Sequence, residues 1–139
     1  MADVQTSPSQ TEEVLMATSI AAGFTVNDLE KSIRFYTDGL GFGVEQKYEH
    51  DGQLNGVMLK AGEGRLGLSQ DDFAKGRDRV KGVGMRLWIA TDQDIHTLAD
   101  RATAAGITLD QGPAAQPWGG TAFTVTDPDG YKLTIVNQS

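Results

Sequence analysis

The chain contains few of the side chains that usually carry out chemistry: two histidines, His50 and His96, and no cysteine. Without cysteine there is no thiolate to act as a nucleophile, bind a metal or form a disulfide. His50 lies in the turn-forming sequence EHDG, and His96 lies in the first turn of a predicted helix, so we expect both to be exposed. Two exposed histidines far apart in the fold cannot close a chelate, so they provide neither a metal site nor an assignable catalytic residue.

Two tryptophans and one arginine are better candidates for binding a ligand. Arg86 and Trp88 are two positions apart in the predicted strand GMRLWIAT, so their side chains share a face. Arg86 could pair with a ligand carboxylate or stack on an aromatic ring. Trp88 could stack on a ligand or pack in the core between sheet and helix. Trp118 lies in the Pro- and Gly-rich segment PAAQPWGG, where it is either a platform for a ligand or an anchor for the loop.

The composition and net charge of the whole chain argue against nucleic acid and membranes as binding partners. Its 139 residues are 39% hydrophobic and 7% aromatic, which is typical of one globular domain. A net charge of −7 argues against nucleic acid and anionic membranes, because both require clustered Lys and Arg. Residues 1–17 lack a targeting signal, and no apolar run reaches the roughly 20 residues of a membrane span. We therefore expect a cytoplasmic protein whose residues 1–17 form a flexible tail.

A strand, a helix and three further strands are predicted between residues 18 and 70. The first strand ends at Val26, and Asn27 is the predicted N-cap of the helix, with Glu30 completing a capping box. Apolar residues recur at helical spacing until Gly41, where the helix ends after about three turns. The three strands that follow are predicted at residues 43–49, 55–61 and 65–70.

The same order of elements recurs after a polar linker at residues 71–82. The second unit, residues 83–137, contains a predicted helix that begins at Asp94 and ends at Gly106. Its strands are predicted at residues 84–91, 108–109, 121–126 and 132–136. Because the two helices correspond almost without gaps, the chain is an internal duplication of a βαβββ unit, within a single domain spanning residues 18–137.

Two local motifs accompany this duplication. One is the sequence Asp-Leu-x-x-Ser-x-x-Phe-Tyr beginning at Asp28, followed by Leu-Gly-Phe at residues 40–42, and the other is the Asp-Pro-Asp-Gly turn at residues 127–130. Together they resemble the vicinal oxygen chelate superfamily, which includes glyoxalase I, ring-cleaving dioxygenases and bleomycin resistance proteins. The resemblance implies an α+β fold in which two tandem βαβββ units form a curved mixed sheet. It also implies a two-fold homodimer, with a ligand site at or near the interface.

The resemblance can be tested at the positions that hold a metal. Metal-dependent members bind a divalent ion through His and Glu on the first and last strands of each unit. In this chain those positions hold Ala21, Gly67, Arg86 and Thr134. Met85 and Leu87, the neighbouring alternatives for the third position, are not ligands either, and none of these residues is a usual ligand of zinc, iron, nickel or manganese. The sequence therefore predicts a metal-free branch with no cofactor.

Strand alternation predicts which side chains line the cavity instead. In the first unit they are Ala21, Gly23, Thr25, Gly67 and Ser69. In the second unit they are Arg86, Trp88 and Thr134, with Trp118 added from its loop. The bleomycin resistance branch has a Pro-Trp-Gly at this place that contributes an aromatic ring to its groove, and residues 117–119 match it. Small residues beside an indole and a guanidinium suit an organic ligand.

Two classes of function remain open. The first is a metal-independent protein that sequesters an antibiotic or another hydrophobic or aromatic molecule in a cavity between two chains. The alternative is an enzyme of the same superfamily, of lyase, isomerase or dioxygenase type, acting on a small organic substrate. An enzyme needs a positioned acid or base, and only Glu45 and Glu49 could reach the rim of the cavity. Binding of a small molecule is therefore favoured.

Overall fold

A computed structural model describes residues 14–139, and residues 1–13 of the predicted tail lie outside the described residues. The first unit contains β1 (Ala21–Val26), α1 (Leu29–Arg34), a π-helical turn (Phe35–Gly39), β2 (Gly43–His50), β3 (Gln53–Ala61) and β4 (Gly64–Gln70). The second unit contains β5 (Arg86–Ala90), α2 (Ile95–Ala104), β6 (Gln111–Ala115), β7 (Thr121–Thr126) and β8 (Lys132–Asn137). Within residues 14–139, no helix has the length and apolar character needed to cross a bilayer.

Each unit forms one four-stranded mixed sheet. The strand orders are β1-β4-β3-β2 and β5-β8-β7-β6, so the two sheets repeat one topology. In each unit the first strand pairs in parallel with the last strand, and the remaining pairs are antiparallel. The predicted α+β fold of two tandem βαβββ units is confirmed, although within one chain the units form two separate mixed sheets and not one curved sheet, because no strand of one unit pairs with a strand of the other among residues 14–139.

The N-cap of α1 differs by one residue from the prediction. Asp28 caps the helix, because its carboxylate accepts a hydrogen bond from the backbone N–H of Lys31 at 3.2 Å. Asn27 instead joins two other parts of the chain. Its backbone N–H donates to the Asp129 carboxylate, and its side-chain oxygen accepts from Lys81. Because both contacts are long-range, the local capping pattern could not reveal them.

The position predicted for a strand of the second unit, residues 108–109, was also wrong. The strand lies at Gln111–Ala115, where it pairs antiparallel with β7 through a register shift. The sequence QGPAA has little intrinsic preference for a strand. This sequence is tolerated because β6 is an edge strand, which pairs with a neighbour on one side only. The absence of a backbone N–H on Pro113 therefore does not interrupt the interior of the sheet.

The helices of both units lie between the two sheets. Side chains from the helices and from one face of each sheet form a single buried cluster that includes Phe24, Leu29, Tyr36, Ile95 and Phe123. At the same junction the guanidinium of Arg101 in α2 donates to the backbone carbonyls of Thr37 and Asp38. The opposite face of each sheet is therefore directed outwards, away from the other unit.

The Asp-Pro-Asp-Gly turn connects the units through buried polar contacts. The Tyr36 hydroxyl donates to Asp127 Oδ2 at 2.7 Å, and both residues are buried. Asp127 also accepts from the backbone N–H groups of Asp129 and Tyr131. Burial raises the pKa of the Tyr36 hydroxyl and of the Asp127 carboxyl above their ordinary values. The Asp-Pro-Asp-Gly turn is thus fixed against the π-helical turn of the first unit by a hydrogen bond as well as by packing.

The linker at residues 71–82 is fixed by an ionic cluster. The buried carboxylate of Asp71 lies 2.9 Å from Lys81 Nζ and 3.0 Å from Arg79 Nη2. It also accepts from the backbone N–H of Phe73. The hydrogen bond from Lys81, followed by those from Phe73 and Arg79, holds the pKa of Asp71 well below its usual range. The linker therefore has a defined path between the units.

Candidate ligand-binding site

The outward side of the first sheet, on β1–β4, is here called open face one. Its centre consists of two rows of adjacent residues, Gly23–Gly67–Met58 and Thr25–Ser69–Gly56. A Cβ atom built on Gly23 would have no heavy atom within 4 Å, so this part of the face is empty space. Ala21 lies on the same face at the start of β1, beside Arg65 of β4. The structure thus brings together all the candidate residues of the first unit.

Alternation along β3 adds residues that the sequence analysis did not name. Met58 borders Gly67, where its terminal methyl lies 3.6 Å from the position of a Cβ on that glycine. Lys60, two residues further on, lies beside Arg65. Arg65 Nε in turn lies 2.8 Å from Glu45 Oε1. In VMLK, Val57 and Leu59 are buried whereas Met58 and Lys60 are not, so strand alternation predicts that Met58 and Lys60 share the open face. The sequence alone did not show that this strand lies beside Gly67.

The outward side of the second sheet, on β5–β8, is here called open face two. Arg86 and Trp88 lie on this face, and Thr134 of β8 is the direct neighbour of Trp88. Arg86 Nη1 donates to Thr134 Oγ1 at 2.9 Å, and Thr134 is 3% exposed. Trp88, by contrast, is 55% exposed. The alternative in which Trp88 packs in the core is therefore wrong.

Trp118 extends open face two from the turn between β6 and β7. Its ring centroid lies 5.6 Å from that of Trp88, with the ring planes at 72°, which is an edge-to-face pair. The turn is closed by backbone hydrogen bonds between Gln116 and Gly120 and between Gly119 and Gln116. Gly120 has a φ of +82°, and a Cβ there would clash with the Asn137 carbonyl oxygen, so the close approach requires glycine. With 57% of Trp118 exposed, the ring is positioned but not buried.

The candidate residues form two groups, not one, within a single chain. Those of the first unit lie on open face one and those of the second unit on open face two, with both helices between the sheets. Strand alternation placed each residue on the correct side of its own sheet, but it carries no information about how the two sheets are oriented relative to each other. A ligand in contact with both groups must therefore contact two copies of the chain.

The positions at which the resemblance implies metal ligands do not fit a divalent ion. Ala21 and Gly67 have no metal-binding atom in a side chain, and the hydroxyl of Thr134 accepts a hydrogen bond from the positively charged Arg86. Within residues 14–139, no group of three His, Cys, Asp or Glu side chains is arranged to hold a metal. The side chains of His50 and His96 are 79% and 71% exposed, as the sequence predicted.

A groove between the first helix with its π-helical turn and the segment that follows α2 lies apart from both open faces. It has a volume of about 530 Å³ and is lined by residues that include Lys31, Arg34, Phe35, Asp38, Ile107 and Asp110. Acidic and basic side chains are mixed along it, and none of the candidate residues contributes to its walls. The groove is therefore not the site predicted from the sequence.

Comparisons with known proteins agree with this architecture. A family model described as the Glyoxalase/Bleomycin resistance protein/Dioxygenase superfamily matches residues 18–135. No curated protein matches the chain. Similar solved structures include TioX from Micromonospora sp. ML1, with 17% identity and a TM-score of 0.71 over 88% of this chain and 100% of that chain. A glyoxylase/bleomycin resistance protein/dioxygenase domain from Frankia sp. EAN1pec has 22% identity and a TM-score of 0.72 over 91% and 94% of the two chains.

A third similar structure is virulence protein STM3117 from Salmonella typhimurium. It has 24% identity and a TM-score of 0.67, over 91% of this chain and 100% of that chain. At these levels of identity the structural similarities establish the fold alone, because unrelated functions recur on one fold.

Proposed function

The chain belongs to the Glyoxalase/Bleomycin resistance protein/Dioxygenase superfamily, and from this premise we propose that it binds a small aromatic or otherwise hydrophobic molecule, such as an antibiotic, without a metal. The proposed site lies in a cleft between two copies of the chain. The observation that carries this proposal is the pair of half-exposed indole rings, Trp88 and Trp118, on the face where Arg86 and Thr134 replace metal ligands.

The tryptophan pair favours an aromatic ligand for energetic reasons. An indole with more than half of its surface exposed leaves apolar area in water, and covering it stabilises a complex by about 25 cal/mol per Å². The edge-to-face arrangement leaves parts of both ring faces free to stack on a planar molecule. Because backbone hydrogen bonds close the turn that carries Trp118, little backbone entropy is lost when a ligand binds.

A two-fold homodimer would bring the two groups of residues together. Rotation about one axis can place open face one of each copy opposite open face two of its partner, and this arrangement produces two equivalent sites. Open face one is suited to this role, because the space above Gly23 is empty and Gly67 beside it has no side chain to fill that space. The edge strands β1 and β5 have no second strand partner among residues 14–139, so they are available for contacts between copies.

Binding without catalysis is favoured by the carboxylates near these faces. Glu45 is engaged by Arg65, and Glu49 is exposed on the edge strand β2. A general base must be held in place and free to accept a proton, whereas Glu45 is occupied by an ion pair and Glu49 is a solvent-exposed side chain.

The proposal is tested with the two tryptophans themselves, since the chain has no others. Protein dialysed against a chelator is examined by elemental analysis and light scattering, and is then titrated with a panel of aromatic compounds while tryptophan fluorescence is recorded. We expect a dimer, no stoichiometric metal and saturable changes in fluorescence. A stoichiometric metal whose removal abolishes binding would overturn metal independence, and a 14.9 kDa species alone would overturn the shared site.

A further inference from the structure

Open face two carries two basic residues, Arg86 and Lys132, whose sign is opposite to the net charge of the whole chain, and Thr126, which lies beside Lys132, donates to the Asp110 carboxylate. Arg86 and Lys132 are direct neighbours on β5 and β8, and both are exposed. Among residues 14–139, no ion pair involves either of them. The chain as a whole carries a net charge of −7. Two adjacent cations on this face therefore contrast with the acidic remainder of the protein.

Arg86 has donors available for a further partner. A guanidinium has five N–H groups in a fixed plane, and one of its nitrogens, Nη1, is oriented by the bond to Thr134. That bond restrains the side chain on the open face. The remaining donors match the geometry of a carboxylate, which arginine binds through two parallel hydrogen bonds.

Open face one carries a similar pair at the equivalent place in its own unit. Arg65 and Lys60 are neighbours on β4 and β3, and Ala21 lies on the other side of Arg65. Glu45 neutralises part of this charge by pairing with Arg65. In the proposed dimer the two pairs of cations come from different copies and border the same cleft.

We infer, on the basis of the proposed function, that the ligand is a planar aromatic acid whose anionic group is bound by Arg86 and Lys132 while its ring contacts Trp88 and Trp118. Residues two apart on a strand are separated by roughly 7 Å. This spacing matches a carboxylate attached directly to a one- or two-ring aromatic system. The acid provides the specificity, and the indoles provide the apolar contact area.

The test compares aromatic carboxylates with their primary amides, which have nearly the same shape but no charge. Benzoate, 2-naphthoate and quinoline-2-carboxylate are each titrated against their amides by calorimetry, with wild-type dimer at low ionic strength. A hydrogen bond to a charged group supports a preference of about 10- to 100-fold for the acid. Salt should reduce this preference, because the cations are exposed.

Variants separate recognition of the anion from a general effect of charge. Arg86→Gln should reduce the preference for the acid to about 2-fold or less, and Lys132→Gln should reduce it partially. Lys75→Gln removes the same charge from the exposed linker and should leave the preference unchanged. Equal affinity for acid and amide in the wild type, or an unchanged preference in Arg86→Gln, would overturn the inference while leaving aromatic binding intact. If neither series binds, the proposed function fails together with this inference.

Discussion

Replacing Tyr36 with Phe tests how the two units are held together. The substitution removes one hydroxyl from a fully buried site and leaves Asp127 with its two backbone donors. Loss of a buried hydrogen bond to a charged acceptor destabilises a protein by about 1.5–3 kcal/mol. With an m-value of about 2 kcal/mol per molar, the urea midpoint should fall by roughly 1 M.

The size of this effect should depend on pH in a defined direction. Burial raises the pKa of Asp127, and the bond from Tyr36 lowers it, so the pKa rises further in the variant. A raised carboxyl pKa in the folded state favours folding at low pH, and this contribution is lost as the pH rises through the folded pKa. The variant therefore gains more stability on acidification than the wild type does. The difference between the two proteins should be largest near pH 7 and should shrink towards about pH 4.

Urea unfolding followed by far-ultraviolet circular dichroism measures both quantities. Tyr48→Phe is the matched control, because Tyr48 is 49% exposed on β2 and the same change there should shift the midpoint little. A Tyr36→Phe midpoint within experimental error of the wild type at pH 7 would refute the role assigned to the bond. A loss of stability that is constant from pH 7 to about 4 would refute the coupling to Asp127.

Three further predictions concern Asp71 in the linker, the two tryptophans and Gly23 on open face one. Asp71→Asn should lower the urea midpoint most above about pH 5, and the difference from the wild type should shrink gradually as the pH falls below about 4, because the stability contributed by a depressed carboxyl pKa is lost only as the pH falls towards the folded-state pKa. Trp88→Ala and Trp118→Ala should each weaken binding of an aromatic ligand by about 10-fold in calorimetry, with little change in melting temperature, and full affinity in both would contradict the site. Gly23→Ala should leave the fold intact. Gly23→Phe should block ligand binding, measured by calorimetry, or dimerisation, measured by light scattering. Normal binding by a Gly23→Phe dimer would contradict the assignment of open face one to the ligand site.

The fold could be predicted from the sequence because its signals are local and occur twice. Capping residues, helical periodicity and left-handed glycines at Gly41 and Gly106 bound both helices. The strand β6 could not be predicted, because its pairing with β7 and not its own composition makes QGPAA extended. The side of each sheet on which Trp88 and Gly67 lie followed from alternation. The relative orientation of the sheets did not, because it depends on long-range contacts such as the bond from Tyr36 to Asp127.

The central claim, that each site combines open face one of one copy with open face two of another, is tested most directly by mixing two defective chains. Gly67→Trp should block open face one, and Trp118→Ala should remove part of open face two, so each homodimer should bind a planar aromatic ligand weakly. A mixed dimer places both defects in one site and leaves the other site intact. Calorimetry of the purified mixed dimer should therefore show wild-type affinity at half the stoichiometry. Mixed dimers that bind no better than either parent would contradict the claim.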